Sequence, residues 1–288
     1  MLKKRIIATL VVKDGIVVQS IGFKRYLPVG KPAIAVEFLS QWGIDEIILL
    51  DISASRYGRS PDYAMVRSAS SHCRIPLTVG GGITQIEHIM ELMHCGADKV
   101  AFNQAALFKP ELLTEAAHRF GDQCIVASID ALLTEMGYMV YDYRQHKALG
   151  QTPGELAAQL QKQGAGEILI NSVDRDGSYL GFDLDLITSV CSMVSVPVIS
   201  SGGAGHAHHF LEVFTHTQAS AASAANFFHF SEHSVTTVKA QLSPYYPVRH
   251  ETWFNYLGTR FDDHGRILKK EDSELEEMLF LRIEKDVI

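Results

Sequence analysis

The 288-residue sequence lacks the features that mark several classes of protein. No apolar run reaches the roughly 18–20 residues of a transmembrane helix, so we expect no membrane span. The net charge of −7 leaves no basic excess, which argues against nucleic-acid binding through a basic surface. Only four cysteines are present, with no CxxC pair and no histidine at zinc-ligand spacing. We therefore expect reduced thiols in the cytoplasm, no structural metal site and no cofactor.

What is present is the composition of an ordinary globular protein, with 47% hydrophobic and 20% charged residues. This length allows one large α/β domain or two small ones. The N-terminus begins as a signal peptide would, but Lys13 and Asp14 follow within a few residues, and no small-residue cleavage site is present. We interpret the N-terminus as the first strand of the fold.

Short apolar, β-branched runs alternate with longer helical segments along the chain. We predict strands at 5–12, 46–51, 75–79, 99–102, 124–129, 167–171, 197–200 and, more weakly, 219–225. Continuous apolar strands separated by helices are typical of a parallel sheet covered on both faces. Eight such units favour an α/β (β/α)₈ TIM barrel over an open sheet.

An internal repeat supports the barrel. The segment WGIDEIILLD (42–51) is echoed by QGAGEILINS (163–172), and IPLTVGGGI (75–83) by VPVISSGGA (196–204), both with an offset of 121 residues. A repeat of half the domain predicts two similar (β/α)₄ halves, about 1–120 and 121–242, within a barrel spanning 1–242. Residues 243–288 fall outside the repeat, and we expect a C-terminal extension there made of a short hairpin and a helix.

Glycine-rich turns follow the third strand of each half, Gly80-Gly81-Gly82 in one and Gly202-Gly203 in the other. Glycines before a helix let backbone N–H groups close around a phosphate. Asn103 and Asn226, after the fourth and eighth strands, could complete the two cradles. The symmetric pair predicts a small-molecule ligand with a phosphate at each end, although the glycines could also serve only to permit tight turns.

Carboxylates gather at the ends of the predicted strands, where barrel active sites lie. Asp130 ends the fifth strand and is the strongest candidate for a general acid or base, with helix capping as the alternative. We expect Asp51 to orient or hydrogen-bond a ligand, whereas Asp176-Gly177 fits either a site or a turn. The GHAHHF segment (205–210) is interpreted as a solvated helix start and not as a metal site.

Four predicted strands begin with a charged residue, two of each sign: Arg5, Glu46, Lys99 and Glu167. Charges that face the inside of a barrel are costly unless they pair. The pattern predicts a ring of alternating charges at the bottom of the barrel. Such a ring could close the barrel for stability or guard an opening through it, and the sequence favours neither alternative.

Taken together, the segments KRIIA, VKDG, GIDEIILLDISAS, TVGGGI, GADKV, GAGEIL, DRDG, SGGAG and FHF resemble the cyclase subunit of imidazole glycerol phosphate synthase. The resemblance covers residues 1 to about 242. It implies a (β/α)₈ barrel that receives ammonia from a glutaminase subunit docked at its N-terminal face. Ammonia would cross the barrel to a bisphosphate ribulosyl substrate, and cyclisation with lyase cleavage would give imidazole glycerol phosphate.

The resemblance also implies roles for individual residues. Arg5, Glu46, Lys99 and Glu167 would form the ammonia gate, and Asp98 would lie at the interface with the glutaminase. Thr78, Asn171 and Ser201 would line the pocket. The phosphate-binding positions would be Gly82, Asn103, Asp176, Gly177, Gly202, Gly203 and Asn226.

The sequence departs from the family pattern at the first strand. The family mechanism uses two aspartates; Asp130 fills the position on strand five, but Val11 stands at the position on strand one. Three smaller departures are Gln19 in place of a loop lysine, Gln104 in place of threonine and Asn226 in place of serine. Valine cannot transfer a proton, so losing one of two carboxylates predicts a loss of about 10²–10⁴-fold in the proton-transfer step.

Val11, together with the loop GFKRYLPVGKP (22–32), resembles a diverged branch of the family that is associated with surface-polysaccharide genes. That branch implies an ammonia relay to a third, amidating enzyme that acts on an amino sugar, and this is our leading hypothesis. The first alternative is a working cyclase subunit of histidine biosynthesis in which Asp14 or Asp51 assists Asp130. The second alternative is a non-catalytic barrel that binds and activates the glutaminase.

Overall fold

The computed structural model describes residues 3–231, 233–249, 258–263 and 265–274. In chain order its strands are β1 (Arg5–Lys13), β2 (Ile16–Ile21), β3 (Arg25–Gly30), β4 (Glu46–Asp51), β5 (Leu77–Gly80), β6 (Lys99–Phe102), β7 (Ile125–Thr134), β8 (Gly137–Asp142), β9 (Lys147–Ala148), β10 (Glu167–Ser172), β11 (Val198–Ser201) and β12 (Ala221–Ala224). The helices are α1 (Pro32–Gln41), α2 (Ile52–Arg56), α3 (Tyr63–Ser70), α4 (Ile86–His94), α5 (Gln104–Phe108), α6 (Pro110–Phe120), α7 (Pro153–Lys162), α8 (Leu184–Cys191), α9 (Ala207–His216), α10 (Asn226–Phe230) and α11 (Ser234–Leu242).

Eight of the strands close into a parallel barrel. Their order is β1-β4-β5-β6-β7-β10-β11-β12, and β12 pairs with β1 to complete the circle. Helices lie between successive strands, as expected when apolar strands must be covered on their outer face. The predicted (β/α)₈ barrel is confirmed, with all eight strands at the predicted places.

Two β-hairpins rise above the barrel, and the sequence patterns did not predict them. β1 continues past the barrel to pair antiparallel with β2, which pairs in turn with β3, and we call this unit the first hairpin. β7 continues to pair with β8, which pairs with β9, and this unit is the second hairpin. The predicted strand 124–129 therefore ends at Thr134 in the structure. Both hairpins follow the first strand of a repeat, and they overhang the C-terminal mouth of the barrel.

The interior of the barrel is layered along its axis. A cluster of buried apolar residues fills the middle: Ile7, Ile48, Ala101, Val126, Leu169, Ile199 and Ala221. Inward-facing residues alternate along each strand. The residues two positions before the apolar cluster therefore form a layer at the N-terminal end of the barrel. Those two or more positions after it face the C-terminal mouth. The apolar layer thus separates two polar ends.

A fully buried lysine anchors the last helix of the barrel. Nζ of Lys239 donates to Oδ1 of Asp45 at 2.6 Å and to the carbonyl oxygens of Gly43 and Arg249 at 2.5 and 3.0 Å. The other carboxylate oxygen of Asp45 accepts from the Ile6 backbone N–H at 2.8 Å. This network ties α11 and the start of the C-terminal extension to the N-terminal end of β1.

Most of the predicted hairpin and helix of the extension lies outside the described residues. In its described part, Phe261 and Ile267 form an isolated antiparallel bridge. Within the described ranges, every helix is too short or too polar to cross a membrane.

Candidate functional site

A cavity of about 150 Å³ opens at the C-terminal ends of the barrel strands. The structure brings together around it most of the predicted site residues: Val11, Asp51, Gly82, Asn103, Asp130, Asn171, Asp176, Gly177, Ser201, Gly202, Gly203 and Asn226. These residues come from both halves of the chain. Residues from the two hairpins, including Phe23, Tyr26 and Tyr143, cover the cavity from above.

Asp130 lies within β7, beside Asn171 of β10 in the strand register, with its side chain buried. Nδ2 of Asn103 donates to its Oδ2 at 3.0 Å, and Nδ2 of Asn171 donates to its Oδ1 at 3.3 Å. The alternative that Asp130 caps a helix is wrong, because the chain continues as strand to Thr134. Its carboxyl group instead faces the cavity.

Burial raises the pKa of the Asp130 carboxyl to about 7. The hydrogen bonds from Asn171 and Asn103 lower this pKa, whereas the nearby carboxylates of Asp176 and Asp142 raise it. Near neutral pH the group therefore exists in both protonation states. A buried carboxyl with such a pKa at the mouth of a cavity is suited to general acid or base catalysis.

A second carboxylate, which sequence reasoning missed, stands behind Asp130. Nε2 of Gln104 donates to Oδ1 of Asp142 at 3.1 Å and to Oδ1 of Asn103 at 3.2 Å. The Gln104 amide thereby orients Asn103 so that its N–H groups point toward Asp130. Asp142 is fully buried, and its Oδ2 has no hydrogen-bond partner among the described residues.

Val11 contributes an apolar side chain to the cavity wall. Of the two residues suggested as substitutes for the missing carboxylate, Asp51 lines the cavity and Asp14 does not. Oδ1 of Asp51 caps α2 by accepting from the backbone N–H groups of Ser53 and Ala54 at 2.9 and 3.1 Å. Asp14 does not line the cavity; it lies in the exposed β1–β2 turn, where Arg59 approaches it at 3.5 Å.

Asp176 holds the first hairpin over the cavity. Its Oδ2 accepts from the Ser20 hydroxyl at 2.7 Å and from the Phe23 backbone N–H at 3.1 Å. Its backbone carbonyl accepts from the Gly22 N–H at 3.0 Å. Burial raises the pKa of the Asp176 carboxyl, while these donors lower it. Asp176 is therefore a structural clamp on the β2–β3 hairpin as well as a lining residue.

The glycine turns are tight, as one of the two interpretations requires. Gly82 and Gly203, which are 121 residues apart, have φ angles of +73° and +99°, which favour glycine. A Cβ on Gly203 would overlap the carbonyl oxygen of Gly181, and one on Gly82 would overlap that of Arg59. The turns are tight, and they also line the cavity at its two sides.

The two asparagines of the predicted cradles are committed elsewhere. Asn103 bonds to Asp130, and Nδ2 of Asn226 donates to the Ser20 carbonyl oxygen at 2.7 Å. Their side chains therefore hold the site together. In the first glycine turn, the backbone N–H of Gly82 donates to the Ser55 hydroxyl at 3.0 Å.

Thr78 does not line the cavity, which corrects the prediction from the resemblance. Its position in β5, between Ile48 and Lys99 in the register, places it at the opposite end of the barrel. There its hydroxyl donates to Oε1 of Glu46 at 3.0 Å. Asp98 lies at the same end with its residue exposed, and its Oδ2 accepts from the Leu77 N–H at 2.8 Å.

The four charges at this end form a closed ring. Arg5 contacts Glu46 at 2.8 Å and Glu167 at 3.0 Å, and Lys99 contacts each glutamate at 3.1 Å. Each acid thus bridges both bases. The side chain of Glu46 is only 2% exposed, whereas that of Arg5 is 26% exposed, so the ring separates solvent from the apolar layer above.

The sequence matches the profile of the family described as "Histidine biosynthesis protein" over residues 5–234. It is 46% identical to imidazole glycerol phosphate synthase subunit HisF of Anoxybacillus flavithermus, over 83% of this chain and 96% of the relative. It is 44% identical to subunit HisF of Bacillus subtilis, over 85% of this chain and 98% of the relative. The chain belongs to the HisF family. A Vibrio vulnificus protein carrying the name hisF2 is 45% identical, over 84% of this chain and 89% of that protein.

Within this HisF-family barrel, two of the departures noted in the sequence have structural roles. Nε2 of Gln19 donates to the Tyr179 hydroxyl at 2.8 Å, which is a second tie between the first hairpin and the loop after β10. Gln104 links Asn103 to Asp142. Contacts between residues this distant in the chain leave no local sequence pattern.

The histidines of the GHAHHF segment do not form a metal-binding cluster. Nε2 of His208 faces Glu212 at 3.6 Å on the exposed side of α9, and Nδ1 of His209 accepts from the Gly205 N–H at 3.1 Å. In the part of the HisF-family chain that the structure describes, no three histidine, cysteine, aspartate or glutamate side chains gather as metal ligands do.

Proposed function

We propose that this chain is the ammonia-accepting synthase subunit of a two-component glutamine amidotransferase in the cytoplasm. The observation that carries the proposal is that one barrel has a polar site at each end of its axis. The charge ring occupies one end, and the cavity of Asp130 occupies the other. Membership of the HisF family supports this assignment.

We propose that ammonia crosses the apolar layer that separates the two ends. Above the ring, Ala101 and Ala221 contribute only methyl groups to the apolar layer. Beyond it, the hydroxyl groups of Thr9 and Ser223 bond to each other, and Thr9 and Ser128 line the floor of the cavity. Small side chains followed by hydroxyl groups favour passage of a molecule as small as ammonia once the ring opens.

The glutaminase partner would dock where the ring meets solvent. Asp98, which is exposed at this end of the barrel, is the proposed interface residue. Ammonia released there would enter the barrel without mixing with bulk water. The ligand would lie at the opposite mouth, with its two phosphate groups on the turns at Gly82 and Gly203.

The names of the curated relatives favour cyclisation to imidazole glycerol phosphate over the amidation hypothesis. In this mechanism Asp130 alone carries the proton transfers. With a pKa near 7, its carboxyl can take a proton from the attacking amine and return it to a leaving group. Asn103 and Asn171 hold the carboxyl in place for both steps.

Val11 favours a second candidate. An apolar side chain at the position of a catalytic carboxylate suits a barrel that delivers ammonia without cyclising anything. Such a subunit would relay ammonia to a third enzyme that amidates an amino sugar in surface-polysaccharide synthesis. A barrel that only binds and activates the glutaminase is the remaining alternative.

The purified chain, incubated with an ammonium salt and the bisphosphate ribulosyl substrate, separates these functions. We expect imidazole glycerol phosphate to form, at a rate that falls about 10²–10⁴-fold in Asp130→Asn. If the wild-type chain forms no imidazole product but Val11→Asp does, the cyclase assignment is wrong and the relay candidate stands. If neither protein forms it, the amino-sugar reaction with the amidating enzyme present becomes the test.

The docking proposal is tested by binding of a glutaminase subunit encoded beside this chain. Asp98→Lys should weaken the complex at least about tenfold, because it reverses a charge at the proposed interface. Asp185→Lys is the matched control, since Asp185 is an exposed residue in the first turn of α8, at the opposite end of the barrel. Equal affinities for the two variants would contradict docking at the ring.

A further inference from the structure

A second, smaller cavity adjoins the main one. It measures about 30 Å³ and lies beneath the two hairpins, between β1 and α2. We call it the side chamber; its walls include the basic residues Lys13 and Arg56, the imidazole of His146 and the aromatic residues Tyr26, Tyr57 and Tyr143. Tyr26 and Tyr143 also line the main cavity, so the two spaces are separated only by shared side chains.

The side chamber has an excess of positive charge. Among the described residues, no carboxylate lines it, and neither Lys13 nor Arg56 forms an ion pair. Arg59 lies nearby but outside the chamber, and it pairs with Asp14 at 3.5 Å. The whole chain has a net charge of −7, so the positive charge of the side chamber is confined to this cavity and does not reflect a basic protein surface.

Two residues of the chamber wall, Lys13 and His146, contact tyrosines. The ammonium of Lys13 lies 4.7 Å from the centre of the Tyr26 ring, a cation–π contact that keeps it over the chamber. Nδ1 of His146 lies 3.2 Å from the Tyr141 hydroxyl, and the His146 backbone has a left-handed φ of +52°. Preorganised charges of this kind lose less entropy on binding than free surface lysines.

We propose that the side chamber binds a phosphate-type oxyanion, in addition to the two phosphates expected at the glycine turns. A space of this size holds about two water molecules, which excludes a sugar or a base, so an oxyanion would place part of its oxygens in the chamber and the rest at its opening. The guanidinium of Arg56 and the ammonium of Lys13 supply the donors that such an anion requires. The anion can arrive free or attached to a molecule whose body lies in the main cavity.

This site is independent of the proposed function, since it does not involve the charge ring or Asp130. It is located by soaking crystals of the full chain in sodium tungstate and measuring anomalous scattering. We expect a peak between Lys13 and Arg56 that is absent in the Lys13→Met/Arg56→Gln double variant. Arg59→Gln, which removes the paired arginine, should retain the peak. Peaks at Gly82 and Gly203 report separately on the phosphate turns.

Calorimetric titration with inorganic phosphate and with ribose 5-phosphate distinguishes the two sources of the anion. If the double variant loses about tenfold in affinity for both, free phosphate is sufficient; if only ribose 5-phosphate loses affinity, the anion arrives on a larger ligand. Both results support the site. The proposal is overturned by losses below about twofold for both probes, by no tungstate peak in the wild type, or by an adventitious ion only, seen as a peak that persists in the double variant.

Discussion

Asn103 donates from its amide nitrogen to Oδ2 of Asp130 at 3.0 Å, and this bond opposes the effect of burial on the same carboxyl. Burial favours the neutral acid, whereas an N–H donor favours the carboxylate. Because the two effects compete at one group, the proton affinity of Asp130 depends on the orientation of Asn103. Gln104 and Asp142, which fix that orientation, therefore act on Asp130 without touching it.

The first prediction concerns the titration of Asp130. Its carboxyl should titrate near pH 7, and Asn103→Ala should raise the pKa further by removing a donor to the carboxylate. Asp142→Asn should lower it by removing a negative charge. Carbon-13 NMR of labelled aspartate measures both shifts, and the spectrum of Asp130→Asn assigns the signal. An Asn103→Ala protein whose Asp130 pKa falls would contradict the competition described above.

The same carboxyl also makes stability depend on pH. The folded-state pKa of Asp130 lies above the ordinary aspartate value, so the folded protein holds a proton that the unfolded chain has released. This contribution favours folding at low pH and is lost as the pH rises from about 4 to about 7. Relative to Asp130→Asn, the wild type should therefore lose stability between pH 5 and pH 8. Urea unfolding of both proteins at the two pH values checks the sign.

A further prediction concerns restoring a carboxylate on β1. Val11→Asp should increase cyclisation of the ribulosyl substrate at least about tenfold, because the cavity regains a second proton-transfer group. It should also raise the pKa of Asp130, since the new carboxylate adds a like charge in the same cavity. Val11→Asn has the same shape without the charge and is the control. Equal rates for these two variants would show that the carboxylate at this position has no chemical role.

The charge ring should contribute to stability. Lys99→Met leaves Glu46 and Glu167 with Arg5 as their one cation in the ring, so we expect a loss of about 2–3 kcal/mol in the free energy of unfolding. Lys269→Met is the matched control, because Lys269 pairs with Asp272 on the surface at 2.7 Å, and it should change stability by less than about 0.5 kcal/mol. Denaturant unfolding measures both, and similar losses would mean that the ring is no stronger than a surface pair.

The buried pair of Lys239 and Asp45 should matter more. Lys239→Met leaves the Asp45 carboxylate buried with, among the described residues, the Ile6 N–H as its remaining hydrogen-bond donor, at an expected cost of about 3–5 kcal/mol. Adding Asp45→Asn removes the unpaired charge, so the double variant should regain at least half of that loss. If the double variant is no more stable than Lys239→Met alone, the charge of Asp45 is not the source of the destabilisation.

The barrel could be predicted from sequence because each of its strands is a short apolar run of its own. Asp130 could also be found, since a polar residue that follows such a run must emerge at the mouth. The pairing of β2 with β3 could not be predicted from the sequence. Pro28 falls inside β3, and a proline normally argues against a strand. β3 pairs only with β2, and a strand at an edge tolerates a residue that donates no N–H.

The position of Thr78 and the role of Asp142 were beyond sequence reasoning for a different reason. Thr78 depends on the register of β5 against β4 and β6, which is set by packing of whole strands. Asp142 contacts Gln104 across 38 residues of chain, and neither lies in a pattern that points to the other. The ring was predicted because each of its charges stands at the beginning of a strand, where a parallel barrel must bring them together.

The two acids and two bases at the base of the barrel carry no net charge between them. Alternating charges cancel within a few ångströms, so the ring attracts neither cations nor anions from the surrounding solution. In the proposed passage, discrimination against ions would fall to the aliphatic side chains directly above, where an ion would lose its hydration shell at a cost that a neutral solute avoids. In the proposed relay, the barrel floor would therefore distinguish solutes by hydration, and the arginine, lysine and two glutamates would govern only whether it is open.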